Sequence, residues 1–331
     1  NSTDAIRGSQ LYAAMANATG SKYFGVNSTV AGNRDGSGAV GVDSIAIGAN
    51  ANASGWGATA IGSVSKAYGN ESIALGVDAN ASGLTSIAQG LQARASGNYS
   101  IAYGVAAGAT GLASISIGNA ANATGSDSVA QGSGARASAD YSIAQGFLSN
   151  ASGCSSIAMG NASTASNYSS IAFGHNANAT GYQSISIGNQ ANTSNTSAIA
   201  IGTNVNATGF AATVIGRNAN AFGEFTIAMG QFANATGSNG IAIGSSSYAA
   251  GLASIATGPR AYASAKAAIA TGWWANATGE NSIAIGNRSQ ALANNTISIG
   301  NGNIVQGENS GAFGDPSVIN ANASYSVGNN N

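Results

Sequence analysis

Asparagine followed two residues later by serine or threonine recurs along this chain, at Asn52/Ser54, Asn80/Ser82, Asn122/Thr124, Asn150/Ser152, Asn178/Thr180, Asn206/Thr208, Asn234/Thr236 and Asn276/Thr278. Each pair is formally an N-x-[ST] glycosylation acceptor. The same carboxamides, set at strand spacing, can instead pair into a ladder, and glycans on strands about 4.8 Å apart would collide. The ladder is the better reading of that column. A flat ice-binding array would want unbroken threonine, and Lys66, Arg94, Arg136, Tyr248 and Tyr262 interrupt it. Enzyme chemistry finds no footing. The single histidine, His175, directly follows a glycine at a turn, and the single cysteine, Cys154, fills a variable position before a serine. The 11 acidic residues are scattered, with no recurring pair for acid–base work and no Cys/His set with metal-ligand spacing, so neither catalytic residues nor a cofactor is implied. One stretch breaks the polar monotony: Phe222, Phe232, Tyr248, Arg260, Tyr262 and Trp274 stand at outward positions, with Trp273 at the adjoining corner. Aromatics with an arginine are the residue types that dominate binding hot spots. They either form a partner-binding surface or cap a groove between neighbouring chains.

What must position these residues is a repeat. From Gly48, stepping by 14 residues, glycine returns at every position to Gly328, each preceded by a pentapeptide of the kind SIAIG, SIALG or SIAMG. A second glycine usually follows seven residues on, as at Gly55, Gly83, Gly125 and Gly181. A fixed period of this kind, carried through 21 repeats without insertion, is the signature of a solenoid. Fourteen residues allow two strands of about five residues and two tight corners where glycine accepts φ > 0. Coils stacked at about 4.8 Å make a rod roughly 100 Å long.

Within each repeat the side-chain columns separate by size. Three residues before the anchor glycine stands an almost unbroken isoleucine column, which includes Ile45, Ile73, Ile101, Ile157, Ile185 and Ile283. One residue before the anchor the column is bulky but mixed, with Ile47, Gln89, Tyr103, Gln131, Gln145 and Phe173. Alternate positions are small, as in Ser72/Ala74, and the second strand carries alanine pairs such as Ala79/Ala81. Strands alternate faces with period two. Two strands joined by tight corners lie close, so alanine and serine belong inside a thin roll and isoleucine on its outer face. Such a ridge is larger than a soluble monomer exposes. It calls for partner chains, each isoleucine gaining about 2–3 kcal/mol on burial.

The bulk numbers agree with a fibrous rather than an electrostatic role. The chain has 331 residues, only 6% of them charged, with 48 glycines and a net charge of −1. That balance argues against a nucleic-acid partner or an electrostatic membrane contact. A lone cysteine excludes an intrachain disulfide.

Two motifs precede the repeats. Thr3-Asp4-Ala5-Ile6-Arg7-Gly8-Ser9-Gln10-Leu11 resembles the neck motif of trimeric autotransporter adhesins, and Ser21-Lys22-Tyr23-Phe24-Gly25-Val26-Asn27-Ser28 resembles their connector into a head, with Arg7 and Gly25 departing from the usual Asn and His. The SIAIG-type repeats resemble the YadA-like head of the same family. This resemblance implies a short helical neck and connector over residues 1–30 and a β-roll head over residues 31–331. It also implies an all-β, left-handed parallel β-roll, homotrimeric and displayed on a bacterial cell surface. The isoleucines named above would form the trimer interface. The function implied is non-enzymatic adhesion to extracellular-matrix proteins, host cells, other bacteria or surfaces, with an outer-membrane anchor expected in a C-terminal region beyond this sequence. The alternative is a structural spacer or fibre segment with no binding site of its own.

Overall fold

A computed structural model describes residues 37–329. The expected neck and connector, residues 1–30, lie outside the described residues. Strands of two kinds alternate along the described residues from Ile45 to Val327. Three-residue strands such as Ile73–Leu75 pair in parallel with the strand 14 residues on (Ile73↔Ile87, Ala74↔Ala88, Leu75↔Gln89) and build a 21-stranded sheet. Two-residue strands such as Asn80–Ala81 pair likewise (Asn80↔Arg94, Ala81↔Ala95) and build the second sheet. The fold is an all-β parallel solenoid of 14-residue coils.

The strands are shorter than the roughly five residues expected, only Ile199–Thr203 and Thr213–Arg217 reaching five. The corners take up the difference. They remain hydrogen-bonded from coil to coil, with Gly90 N–H donating to Leu75 O at 2.8 Å and Gln92 N–H to Val77 O at 3.0 Å. Positive φ is also not confined to glycine. In nearly every coil the second residue after the anchor glycine is left-handed, as at Asp78 (φ 54°), Leu148 (54°) and Trp274 (56°), and so is the ninth, as at Glu71 (57°) and Tyr99 (62°). A left-handed L-residue costs about 1–2 kcal/mol. The stacked corner hydrogen bonds offset that cost, because they repeat in the same geometry on every coil.

The two kinds of glycine differ. At the anchor, φ lies between +122° (Gly286) and +152° (Gly216), a conformation that side-chain-bearing residues rarely adopt, and no other residue type occurs there in any repeat. The glycine seven residues on has no such φ. Its constraint is close approach: a Cβ on Gly181 would stand 1.9 Å from the carbonyl oxygen of Asn195. Coils that carry Ala139, Asn167, Ala265 or Ala293 at that position show that the second constraint is negotiable.

The interior is as the columns require. Ala74, Ala79 and Ala81 are fully buried, as are Ser72 and Ser86. Several serines at the corners donate to the carbonyl three residues back, Ser72 Oγ to Gly69 O at 2.6 Å and Ser86 Oγ to Gly83 O at 2.7 Å, whereas Ser156, Ser184, Ser254 and Ser282 of the same column are buried without a partner. Such a bond meets the hydroxyl's need without water. Polar layers divide the alanine core into segments. One break contains Ser186, whose hydroxyl meets Thr193 Oγ1 at 2.8 Å across the two sheets. The isoleucines sit on the opposite face of the long sheet. Ile73, Ile101, Ile157, Ile185 and Ile283 are half-buried by their column neighbours, and Ile45, at the first coil, is 50% exposed. Gln89, Gln131 and Gln145 stand exposed on the same face, not in the core.

Candidate functional site

The short sheet's outer face and the corner leading into it carry the outward chemistry. Both are built from side chains that the coil repeats in register. Over four coils the outward column is the expected ladder. Asn178 Nδ2 donates to Asn192 Oδ1 at 3.0 Å, Asn192 to Asn206 at 3.5 Å, and Asn206 to Asn220 at 2.9 Å. The ladder does not run the whole column. At Asn52, Asn80, Asn234 and Asn276 the side-chain oxygen is buried without a hydrogen-bond partner. The ladder ends before Asn234 because Asn220, the preceding asparagine in the column, turns its Nδ2 to Asn218 O at 3.5 Å instead.

Further along, the same column turns aromatic. Tyr248 and Tyr262 pair on adjacent strands, and their rings stack at 5.1 Å with planes 17° apart. Arg260 and Trp274 are not strand residues. They occupy the left-handed corner position on consecutive coils (φ 58° and 56°), which swings both side chains out beside the tyrosines. The Arg260 guanidinium lies 4.7 Å from the Trp274 ring centre, within cation–π range. Trp273 lies at the same corner, with the guanidinium of Arg288 5.5 Å from its ring. Phe232 shares the left-handed position (φ 59°), with Arg217 5.9 Å over its ring. Phe222 stands apart at the other end of its short strand, 49% exposed. Of the stretch singled out in the sequence, Tyr248, Tyr262, Arg260, Trp273 and Trp274 therefore form one cluster. Phe232 forms a second contact with Arg217, and Phe222 belongs to neither.

An open groove of about 510 Å³ runs through the cluster, lined by Arg260, Tyr262, Trp274, Ala275, Asn276, Arg288 and Gln290. That volume falls within the range of small-ligand sites. Sequence reading missed Arg288 and Arg217. The signal for Arg288 was present, since Arg260, Trp274 and Arg288 follow one another at 14-residue steps in one column. His175 is exposed at a corner, beside Asn176 at 3.5 Å. Among the described residues there is no group of three or more His, Cys, Asp or Glu that could hold a metal ion.

Comparison with known proteins bears on the whole rod. The family model described as the YadA head domain repeat matches in twelve segments, from residues 39–65 to residues 277–303. The chain belongs to the YadA head-repeat family. The resemblance to the head of a trimeric autotransporter adhesin is thus borne out over the repeats. Among solved structures, the collagen-binding domain of the Yersinia adhesin YadA matches at 28% identity and a TM-score of 0.33, covering 41% of this chain and 68% of that one. No curated protein matches. As a family member the chain is an adhesin-like head, and its groove is built from the outward positions that the repeat leaves free to vary.

Proposed function

We propose that this chain is the non-enzymatic head of a homotrimeric, surface-displayed adhesin, its three left-handed rolls packed through the isoleucine face. In this reading an outer-membrane anchor lies in a part of the protein beyond this sequence, and the trimer attaches to matrix proteins, host cells, other bacteria or surfaces. The observation that carries the reading is the contrast between faces. The interior is closed mainly by alanine and serine, yet the long sheet keeps an almost unbroken isoleucine column at its surface. Burying that column in three chains is worth about 2–3 kcal/mol per isoleucine. Three copies of one outward face would then add weak contacts into avid attachment.

The test has two parts. Light scattering on the folded chain is expected to give three times the chain mass, and a stable folded monomer would overturn the assembly. A panel of matrix proteins, including collagen, together with host cells and plain surfaces, is expected to show attachment by the trimer. Uniform failure across the panel would favour the spacer reading.

A further inference from the structure

The groove at the aromatic corner carries two arginines that form no ion pair among the described residues. The ion pairs among the described residues are Lys66–Asp78 and Lys266–Glu280, and neither involves Arg260 or Arg288. Each of these two arginines lies over an indole instead. A guanidinium held by a cation–π contact rather than an ion pair keeps N–H donors for a ligand, and its fork matches a carboxylate or sulfate. Arg260 and Arg288 hold the same corner position two coils apart, so their backbones are about 10 Å apart along the rod, with Trp274 between them. Below them lie the Tyr262 ring, stacked on Tyr248, and the Asn276 carboxamide, whose Oδ1 is buried and unpartnered.

We propose that this groove binds an acidic saccharide. An anionic group of one sugar occupies the fork of Arg260 and that of a following sugar the fork of Arg288. A pyranose ring lies on the Trp274 or Tyr262 face. An acidic peptide fits less well. Peptides held along a sheet take their affinity from a free strand edge, and here the edge is occupied: Tyr248 N–H donates to Ala261 O and Tyr262 N–H to Ala275 O, both at 2.8 Å. What remains for a ligand is flat ring faces and two cationic forks, and a sugar's apolar face and acid group meet both. The inference deepens the adhesin reading by naming its ligand class.

The experiment measures binding of the full chain to a sulfated heparin oligosaccharide and to a carboxylated hyaluronan oligosaccharide. Uncharged dextran and polyglutamate serve as controls. The expected result is binding to at least one acidic oligosaccharide, weakened by added salt and absent with dextran. Binding should fall about tenfold or more in Arg260→Ala/Arg288→Ala and in Trp274→Ala, and stay unchanged in Arg94→Ala, an exposed arginine on a distant coil. Which oligosaccharide binds decides between sulfate and carboxylate. The substituted side chains are exposed, and matching melting curves establish that the variants fold. No binding to either oligosaccharide, equal binding by the double variant, or equal binding of polyglutamate would each overturn the site. Attachment to the protein and cell panel that survives in the double variant would overturn the glycan site and leave the adhesin reading standing. Oligosaccharide binding by a chain that attaches to nothing in the panel would keep the site and overturn adhesion.

Discussion

Coils 178–220 and coils 248–290 share one 14-residue coil, the longer strands Ile199–Thr203 and Thr213–Arg217 of the first aside, and differ in what they show to solvent. In both, the interior holds small side chains at zero exposure, alanine such as Ala179 and Ala207 with Ser186, Thr193, Val205 and Val214 in the first and Ala249 and Ala263 in the second. In both, the left-handed corner residue has nearly the same φ, 54° at Asn204 and 56° at Trp274. Outside, the first region ties its asparagines to one another, and the second stacks tyrosines and lays arginines over indoles. The scaffold therefore does not decide the outward chemistry. A corner that holds asparagine holds tryptophan at the same backbone geometry, because the side chain there points away from the packed interior. Recognition can vary without any change in the parts that fold the rod.

If the scaffold is shared, an anchor-glycine substitution should do equal damage in either region. A Cβ on Gly174 would stand 2.4 Å from the carbonyl oxygen of Gly188, and on Gly272 2.5 Å from that of Gly286, with φ at +135° and +129°. Backbone strain of about 1–3 kcal/mol adds to a clash that has only backbone to move. Gly174→Ala and Gly272→Ala should each cost roughly 4 kcal/mol per chain. Gly181→Ala should cost far less despite its close approach, since four coils already carry alanine at that position. Thermal melts of the three variants check this. Similar losses at Gly174 and Gly181 would mean that crowding, not φ, sets the anchor.

The isoleucine face should be just as indifferent to region. Ile185→Asp and Ile283→Asp each remove about 2–3 kcal/mol of burial per chain if three chains meet there, and each adds a charge that needs water. Light scattering should show both variants dissociating from the trimer to a similar degree. Asn150→Asp, on the outward face beside Arg136, should leave assembly unchanged. A trimer that tolerates either isoleucine change would put the interface elsewhere.

Much of this was legible in the sequence, and the parts that were not share one cause. The 14-residue period, the alanine interior and the outward isoleucines follow from residue size at alternate positions, because packing within one coil decides them. The short strands and the left-handed Asp78 or Trp274 do not follow, because hydrogen bonds between coils stabilise them. Asp78 N–H donates to Ser63 O, a partner 15 residues back, and no local propensity records that. Arg288 escaped for a related reason. The stretch was read by residue type along the chain, whereas the groove is organised by column across coils.

Exchanging the outward chemistry tests the comparison most directly. Tyr248→Asn with Tyr262→Asn would join Asn234 to Asn276 in one asparagine column, the arrangement seen from Asn178 to Asn220. The fold should survive with its melting temperature nearly unchanged, since neither tyrosine reaches the interior. Attachment to whatever ligand the protein binds through this face should weaken by on the order of 1–3 kcal/mol per tyrosine. Unchanged attachment, with folding intact, would show that the tyrosines are packing rather than recognition.

The smallest effect belongs to the ladder, and it separates paired from unpaired asparagine. Asn206 accepts from Asn192 and donates to Asn220. Asn206→Ala removes both bonds and leaves two half-buried carboxamides short of a partner, at a cost of about 0.5–1.5 kcal/mol. Asn234 occupies the same column position, but its Oδ1 is buried with no partner. Asn234→Ala therefore removes an unmet acceptor and should be neutral or slightly stabilising, since burying an unpaired polar group is itself unfavourable. Differences this small are diluted in a melt of the whole rod, because a solenoid's stability is a sum over neighbouring coils. Amide hydrogen exchange resolves them locally. Protection should drop in the coils flanking residue 206 in the first variant and hold or rise around residue 234 in the second. Equal loss at both sites would mean that the asparagine column stabilises the roll by packing its side chains, and that its hydrogen bonds contribute nothing net.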